Sequence, residues 1–173
     1  MDKRSQLPLF DADEVSDEIK IFTDGGCNPN PGRGTVGIYC KDKFRCGLAL
    51  GEDTTNNRME YVALYGALKI AEQLGFKRVS VYTDSKILAT TYNNKDYSGG
   101  TNKILHAIRS AIIATASDIG KTKVSVHWVP RESNVEADEL TSVAYERDVW
   151  EGLDEIDRSQ FVSDLKSKIK QQG

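Results

Sequence analysis

Ile21-Phe22-Thr23-Asp24-Gly25-Gly26-Cys27 opens the folded part of the chain with a strand that ends in an acid and two glycines. The alternation from Ile19 to Asp24 has the two-residue period of a half-buried strand. Asn28-Pro29-Asn30-Pro31-Gly32-Arg33-Gly34 reads as a turn, because these residue types suit unusual backbone angles. Val36–Cys40 and Phe44–Leu50 are expected as strands joined in a hairpin by Lys41-Asp42-Lys43. A helix is expected from about Asn57 to Leu74, with Met59, Val62, Ala63, Ala67, Ile70 and Leu74 on one face and Gly75 ending it.

Further along, Val79, Val81 and Thr83 alternate and lead into Asp84. A short helix is expected from Ser85 to about Tyr92, and a break at Tyr97-Ser98-Gly99-Gly100. Ile104, Leu105, Ile108, Ala111, Ile112 and Thr115 mark another helix closing near Gly120. Val124–Val129 is the last expected strand, stopped by Pro130. A helix follows from Val135 to about Arg147, and Phe161–Ile169 is a short candidate helix. The order β-β-β-α-β-α-α-β-α places the chain in the α/β class, as a mixed sheet with helices on both faces.

The net charge of −3 hides an uneven distribution. Residues 1–18 hold 2 basic and 6 acidic side chains, net −4; residues 19–145 hold 16 and 13, net +3; residues 146–173 hold 5 and 7, net −2. A mildly basic centre permits a phosphate-backbone partner without requiring one. No apolar run is long enough to span a bilayer, and acids rather than an apolar stretch follow Met1-Asp2-Lys3-Arg4-Ser5, so a secretory leader is not expected. Cys27, Cys40 and Cys46 are an odd number without CxxC spacing, which suits a reduced, cytoplasmic protein and offers no zinc site.

Four acids carry the chemistry. Asp24 and Asp84 end strands, where ligands gather in open α/β sheets. Glu60 closes Thr54-Thr55-Asn56-Asn57-Arg58-Met59-Glu60 near the start of the long helix, and Asp138 lies in Asn134-Val135-Glu136-Ala137-Asp138-Glu139-Leu140 near the start of another. Any one of them alone reads as a cap or turn residue. Together they would repel one another unless a hard divalent cation were bound. Two such ions about 3.5–4 Å apart can clamp the attacking and leaving oxygens of an in-line displacement.

These four stretches resemble the motifs of the type 1 ribonucleases H: Thr23-Asp24-Gly25-Gly26-Cys27 with Asn30-Pro31-Gly32, then Thr54–Glu60, then Tyr82-Thr83-Asp84-Ser85, then Asn134 with Ala137-Asp138-Glu139-Leu140. The resemblance spans roughly residues 19–147. It implies a ribonuclease H-like mixed five-stranded sheet, three antiparallel strands followed by parallel ones. It also implies hydrolysis of the RNA strand of RNA–DNA hybrids, leaving 5′-phosphate and 3′-hydroxyl ends. By the same resemblance Asp24, Glu60, Asp84 and Asp138 would ligate two Mg2+ or Mn2+ ions. Cys27, Asn30, Asn56 and Asn57 would line the minor groove, where amide and backbone groups read 2′-hydroxyls, and Thr55 would contact a DNA-strand phosphate. Capping and turn-making are the plain alternatives for Asn30 and Asn57. A non-catalytic hybrid-binding or clamp-associated adaptor is the rival reading of the whole chain.

The chain departs from the family pattern in three places. The stretch Val129-Pro130-Arg131-Glu132-Ser133-Asn134 lacks the histidine-bearing loop of many members and resembles a subgroup without it. Arg131 is a candidate to supply charge near the product phosphate, or else a solvated loop arginine. His127 on the strand reads as structural and His106 as an exposed helix residue. Asn93–Thr101 is too short for the family's basic protrusion, and Lys86 stands where a glutamine is frequent.

The two ends lie outside the motif region. Residues 1–18 read as a flexible acidic tail. Within it, Gln6-Leu7-Pro8-Leu9-Phe10 resembles the short peptide by which bacterial replication proteins dock on the sliding clamp. Packing of Leu9 and Phe10 on the domain is the alternative. Residues 148–173 form an extension, partly helical, whose Trp150, Leu153, Ile156, Phe161 and Leu165 either pack back on the domain or meet a partner. A monomer is expected.

Overall fold

The computed structural model describes residues 18–94, 103–120 and 123–170. The acidic tail with Gln6, Leu7, Leu9 and Phe10, and the expected break at Tyr97–Gly100, lie outside the described residues. In chain order the elements are β1 (Glu18–Asn28), β2 (Gly32–Cys40), β3 (Phe44–Thr54), α1 (Asn56–Leu74), β4 (Arg78–Thr83), α2 (Lys86–Asn93), α3 (Lys103–Ile119), β5 (Val124–Trp128), a 3₁₀ turn (Arg131–Ser133), α4 (Val135–Val143), β6 (Val149–Glu151) and α5 (Arg158–Lys170).

The sheet has six strands in the order β5-β4-β1-β2-β3-β6. β1, β2 and β3 pair antiparallel, while β4 and β5 run parallel to β1. This is the mixed α/β sheet expected, with one strand more than the five read from the sequence. The sixth, β6, comes from the C-terminal extension and pairs antiparallel with β3, Cys46 opposite Trp150. Three residues are too short to show a period, so only the partner strand identifies it as β.

The first hairpin is longer than its sequence suggests. The ladder runs on to Cys27 opposite Gly34 and Asn28 opposite Arg33, which reduces the expected turn of residues 28–34 to residues 29–31. Gly34 permits this: a Cβ there would lie 2.5 Å from Thr54 Cγ2. α4 stops at Val143 rather than near Arg147, because the chain must turn to bring Val149 beside Gly47 of β3.

α1 is the hub. Thr55 caps it, its Oγ1 accepting from Arg58 N–H at 3.2 Å, and Gly75 closes it at φ 83°. It is buried on more faces than the one expected: Tyr61, Leu64 and Leu68 are buried as well as Met59, Val62 and Ile70. The sheet takes one side, and α3 and α5 cover others. Opposite them, α4 lies against β1, β2 and β3. Its approach is so close that a Cβ on Gly37 would lie 2.1 Å from Ala137 O.

The extension packs back into this core. Leu153, Ile156, Phe161, Leu165 and Ile169 are all buried. The Trp150 and Phe161 rings stand 5.4 Å apart, and Tyr65 O–H on α1 donates to Asp164 Oδ2 at 2.8 Å. Truncating a buried aromatic leaves a cavity, and Phe161→Ala should lower the unfolding free energy by about 3–5 kcal/mol. Urea unfolding checks this, and a loss below about 1 kcal/mol would show that the extension is not part of the core.

Candidate active site

Register places the first two acids. Thr23 of β1 pairs with Thr83, the last residue of the parallel β4, so Asp24 and Asp84 follow side by side. Asp84 lies just past the carboxyl end of β4, whereas Asp24 lies within β1, which runs on to Asn28 along β2 instead of ending at the acid as expected. β1 lies between a parallel and an antiparallel partner, and strand carboxyl ends at such a change of direction are where open sheets hold ligands.

Glu60 reaches the same place through a close backbone approach. Gly25 runs so near α1 that a Cβ would lie 2.2 Å from the Met59 carbonyl carbon. Its N–H donates to Glu60 Oε1 at 3.0 Å, aiming the carboxylate at Asp24. Asp24, Glu60 and Asp84 each offer a carboxylate oxygen, and these oxygens lie within 4.8 Å of one another. Asp138 comes from the opposite face of the sheet, in the first turn of α4. Buried Asn134 ties that helix start to β1, its Nδ2 donating to Thr23 O at 2.9 Å. Asp138 N–H then donates to Asn134 O at 3.1 Å, so a short chain of bonds links the residue before Asp24 to Asp138.

The four carboxylates line one cavity of about 420 Å³, together with Cys27, Asn56 and Arg131. Arg131 Nη2 is 3.9 Å from Asp138 Oδ1 and its side chain is largely exposed. Cys27 Sγ–H faces Pro29 O at 3.1 Å and Thr54 O at 3.2 Å. Asn30 Oδ1 accepts from Asn56 N–H at 3.2 Å, so it supports Asn56 rather than lining the cavity. Thr55 serves as the helix cap described above, with its hydroxyl hydrogen left to donate. Asn57 sits half-buried in the first turn of α1. His127 holds Ser125 Oγ at 2.9 Å and stacks on Tyr82.

Two cavity neighbours were not anticipated. Tyr145 also lines the cavity, with its O–H on Arg33 O at 3.3 Å and the Arg33 guanidinium 5.7 Å from its ring centre. It lies in the turn after α4, and nothing in the sequence marks it as a cavity residue. Trp128 donates its Nε1–H to Asp84 O at 3.2 Å. Nothing in a strand-end tryptophan indicates that partner.

The electrostatics show what the cavity lacks. Burial, then the Asp84 charge and the hydrogen bond and charge of Asp138, push Asp24 up to about 8, against the pull of Arg131. Burial and the charges of Asp24 and Asp84 raise Glu60 well above the usual carboxylate range, with the Gly25 N–H and Arg131 opposing. A set of hard oxygen donors that resists ionisation for want of positive charge suits a divalent cation.

These features suit a phosphoryl-transfer site of the carboxylate-metal class. The RNase H family model matches residues 16–146, and the chain belongs to the RNase H family. A ribonuclease H of Ruthia magnifica subsp. Calyptogena magnifica is 31% identical over 144 residues, 75% of this chain and 97% of that one. Among solved structures, RNase H1 of the halophilic archaeon Halobacterium salinarum superposes with a TM-score of 0.67 at 26% identity, covering 75% of this chain and 98% of that one. LC11-RNase H1, solved in complex with an RNA/DNA hybrid, superposes at 0.63 with 29% identity, covering 73% and 95%. The family depends on divalent metal, in keeping with the carboxylate cluster.

Stability should report the cluster. Asp24 titrates near 8 in the fold against about 4 in the unfolded chain. The folded state therefore holds a proton that the unfolded chain gives up. The stabilisation is complete below about pH 4 and is lost as pH rises through about 8. In EDTA the melting temperature should fall between about pH 5 and about pH 8, and Mg2+ should raise it more at the higher pH, where fewer protons need be displaced. Thermal unfolding at both pH values checks this; equal increments would contradict it.

Proposed function

We propose that this chain is an endoribonuclease that hydrolyses the RNA strand of RNA–DNA hybrids by a two-metal-ion mechanism, leaving 5′-phosphate and 3′-hydroxyl ends. The observation that carries the reading is the meeting of carboxylate oxygens of Asp24, Glu60 and Asp84 within 4.8 Å of one another, in a cavity that also takes in Asp138. The hybrid seen bound to LC11-RNase H1 supports the substrate class.

Asp24, Glu60, Asp84 and Asp138 would hold two Mg2+ or Mn2+ ions. Bound there, the ions would supply Lewis acidity for the attacking water and for the leaving 3′ oxygen. The chain's own residues orient and discriminate. Gly25 N–H keeps Glu60 aimed into the cavity. Asp138, 41% exposed, has room to move as product leaves. Arg131 beside it offers a guanidinium to the departing 5′-phosphate, in place of the family's loop histidine. Cys27 and Asn56 on the cavity wall, with Asn30 and Asn57 beside them, would face the minor groove, where the 2′-hydroxyl distinguishes RNA from DNA. The Thr55 hydroxyl would donate to a DNA-strand phosphate.

Residues 19–147 form the proposed catalytic unit, which acts as a monomer, and residues 148–173 an extension. Among the described residues no helix is long and apolar enough to cross a membrane. The free cysteines Cys27, Cys40 and Cys46 suit a reducing cytoplasm.

Asp84→Asn removes one ligand charge and keeps the shape. It should cut cleavage of an end-labelled hybrid by at least about 10²-fold while leaving folding and hybrid binding intact. Wild-type cuts should be internal to the RNA and disappear in EDTA. Hybrid binding with no cuts under either metal would instead favour the non-catalytic adaptor.

Gln6-Leu7-Pro8-Leu9-Phe10 is proposed to dock on a bacterial sliding clamp, raising the local concentration of the enzyme at replicating DNA. Leu9→Ala with Phe10→Ala should abolish co-elution with such a clamp and leave hydrolysis of free hybrid unchanged. Undiminished co-elution would remove the peptide from the account.

A further inference from the structure

Two exposed cations, Arg131 on the cavity wall and Lys86 just after Asp84 in the chain, are held in different ways. Arg131 turns inward to Asp138 and lowers the proton affinity of both Asp24 and Glu60. Lys86 is two residues from Asp84, close to a dense cluster of negative charge, yet its ammonium lies over the Trp128 ring at 4.9 Å from the centroid. That indole is itself fastened to the site by the Nε1–H bond to Asp84 O. A long, flexible side chain is thereby stacked on a ring tethered to the Asp84 backbone, and its charge stays at the surface.

The surroundings of Lys86 are also unusual. Ile87 is 60% exposed and Trp128 44%, two of the three exposed large hydrophobic side chains among the described residues. The third, Val135, is three residues before Asp138. Exposed apolar groups clustered at a functional cleft mark a surface that a ligand covers. An ammonium seated on an aromatic ring, with an exposed aliphatic side chain next along the helix, matches a sugar–phosphate backbone, in which anionic phosphates alternate with apolar sugar faces.

We propose that Lys86, presented by Trp128, binds a backbone phosphate of the polynucleotide adjacent to the scissile one. This rests on the hybrid-cleaving reading of the same site and adds to it a specific charge contact on the Asp84 side of the cavity. Arg131 stands on the Asp138 side, so a backbone crossing the carboxylates meets a cation on either side of them. The phosphate belongs to the RNA strand or to the DNA strand, and the chemistry of recognition is the same for both.

The test uses the full chain carrying Asp84→Asn, which stops chemistry, with its fold checked by circular dichroism. Affinity for a fluorescein-labelled hybrid is measured by anisotropy across a salt series. Lys86→Gln should reduce the slope of log Kd against log salt by about one counterion, and Lys86→Arg should retain it. Single neutral methylphosphonates are then placed in turn along each strand. At one position the substitution should weaken the Lys86 protein several-fold and the Lys86→Gln protein no further, and the strand carrying that position identifies the phosphate. An unchanged slope, or losses that add at every position, would overturn the proposal. If the Asp84→Asn protein binds a DNA duplex or an RNA duplex as tightly as the hybrid, the hybrid reading fails instead, and the Lys86 comparison on that duplex still decides the contact. If it binds none of the three, both fail.

Discussion

Mutual repulsion among buried carboxylates is the constraint on which the rest of the site depends. Three carboxylate oxygens within 4.8 Å of one another, one of them on a side chain only 7% exposed, are costly as anions in a medium of low dielectric. The fold keeps them there through backbone geometry. Adjacent parallel strands bring Asp24 and Asp84 out side by side, and the Gly25 N–H fixes Glu60 against them. Such an arrangement has a use only when positive charge is delivered to it, which is what a cation and an anionic polynucleotide together require.

Close packing on both faces of the sheet makes that geometry stiff. On one face α1 approaches β1 at Gly25, and on the other α4 approaches β2 at Gly37, each at a distance that a Cβ would prevent. β1 is therefore held between helices that carry Glu60 and Asp138. Asn134 extends this hold by linking β1 to the start of α4 while fully buried. A shift in any one of these contacts moves an acid relative to the others, so core packing and metal-site geometry share the same bonds.

The C-terminal extension supports the site from a distance. It adds β6 to the outer edge of β3 and lays α5 against α1. Gly66 on α1 marks the closeness of this packing, since a Cβ there would come within 3.0 Å of Ile38 and 3.2 Å of Leu165. The hub helix is thus enclosed by the sheet, α3 and α5, which is why its burial exceeds a single amphipathic stripe. A helix that presents Glu60 at one end benefits from being immobile along its length.

Much of this was legible in the amino-acid order. Strand alternation, the long helix with its closing glycine, and four acids at element ends led to the α/β class and to the four carboxylates, because local period and chain punctuation are properties of neighbouring residues. Contacts between residues distant in sequence were not legible. The sixth strand needed β3 as its partner, the all-round burial of α1 needed the helices packed on it, and the roles of Tyr145 and Trp128 needed the cavity itself. Asn30 reads as a groove residue or a turn-maker, and the fold adds a bond that spacing does not show, from the Asn56 N–H to its Oδ1. The sequence by itself determined which groups could do chemistry. Only the tertiary structure decided how near they stand, since separation, burial and the resulting proton affinities arise from packing between elements that the chain joins only on folding.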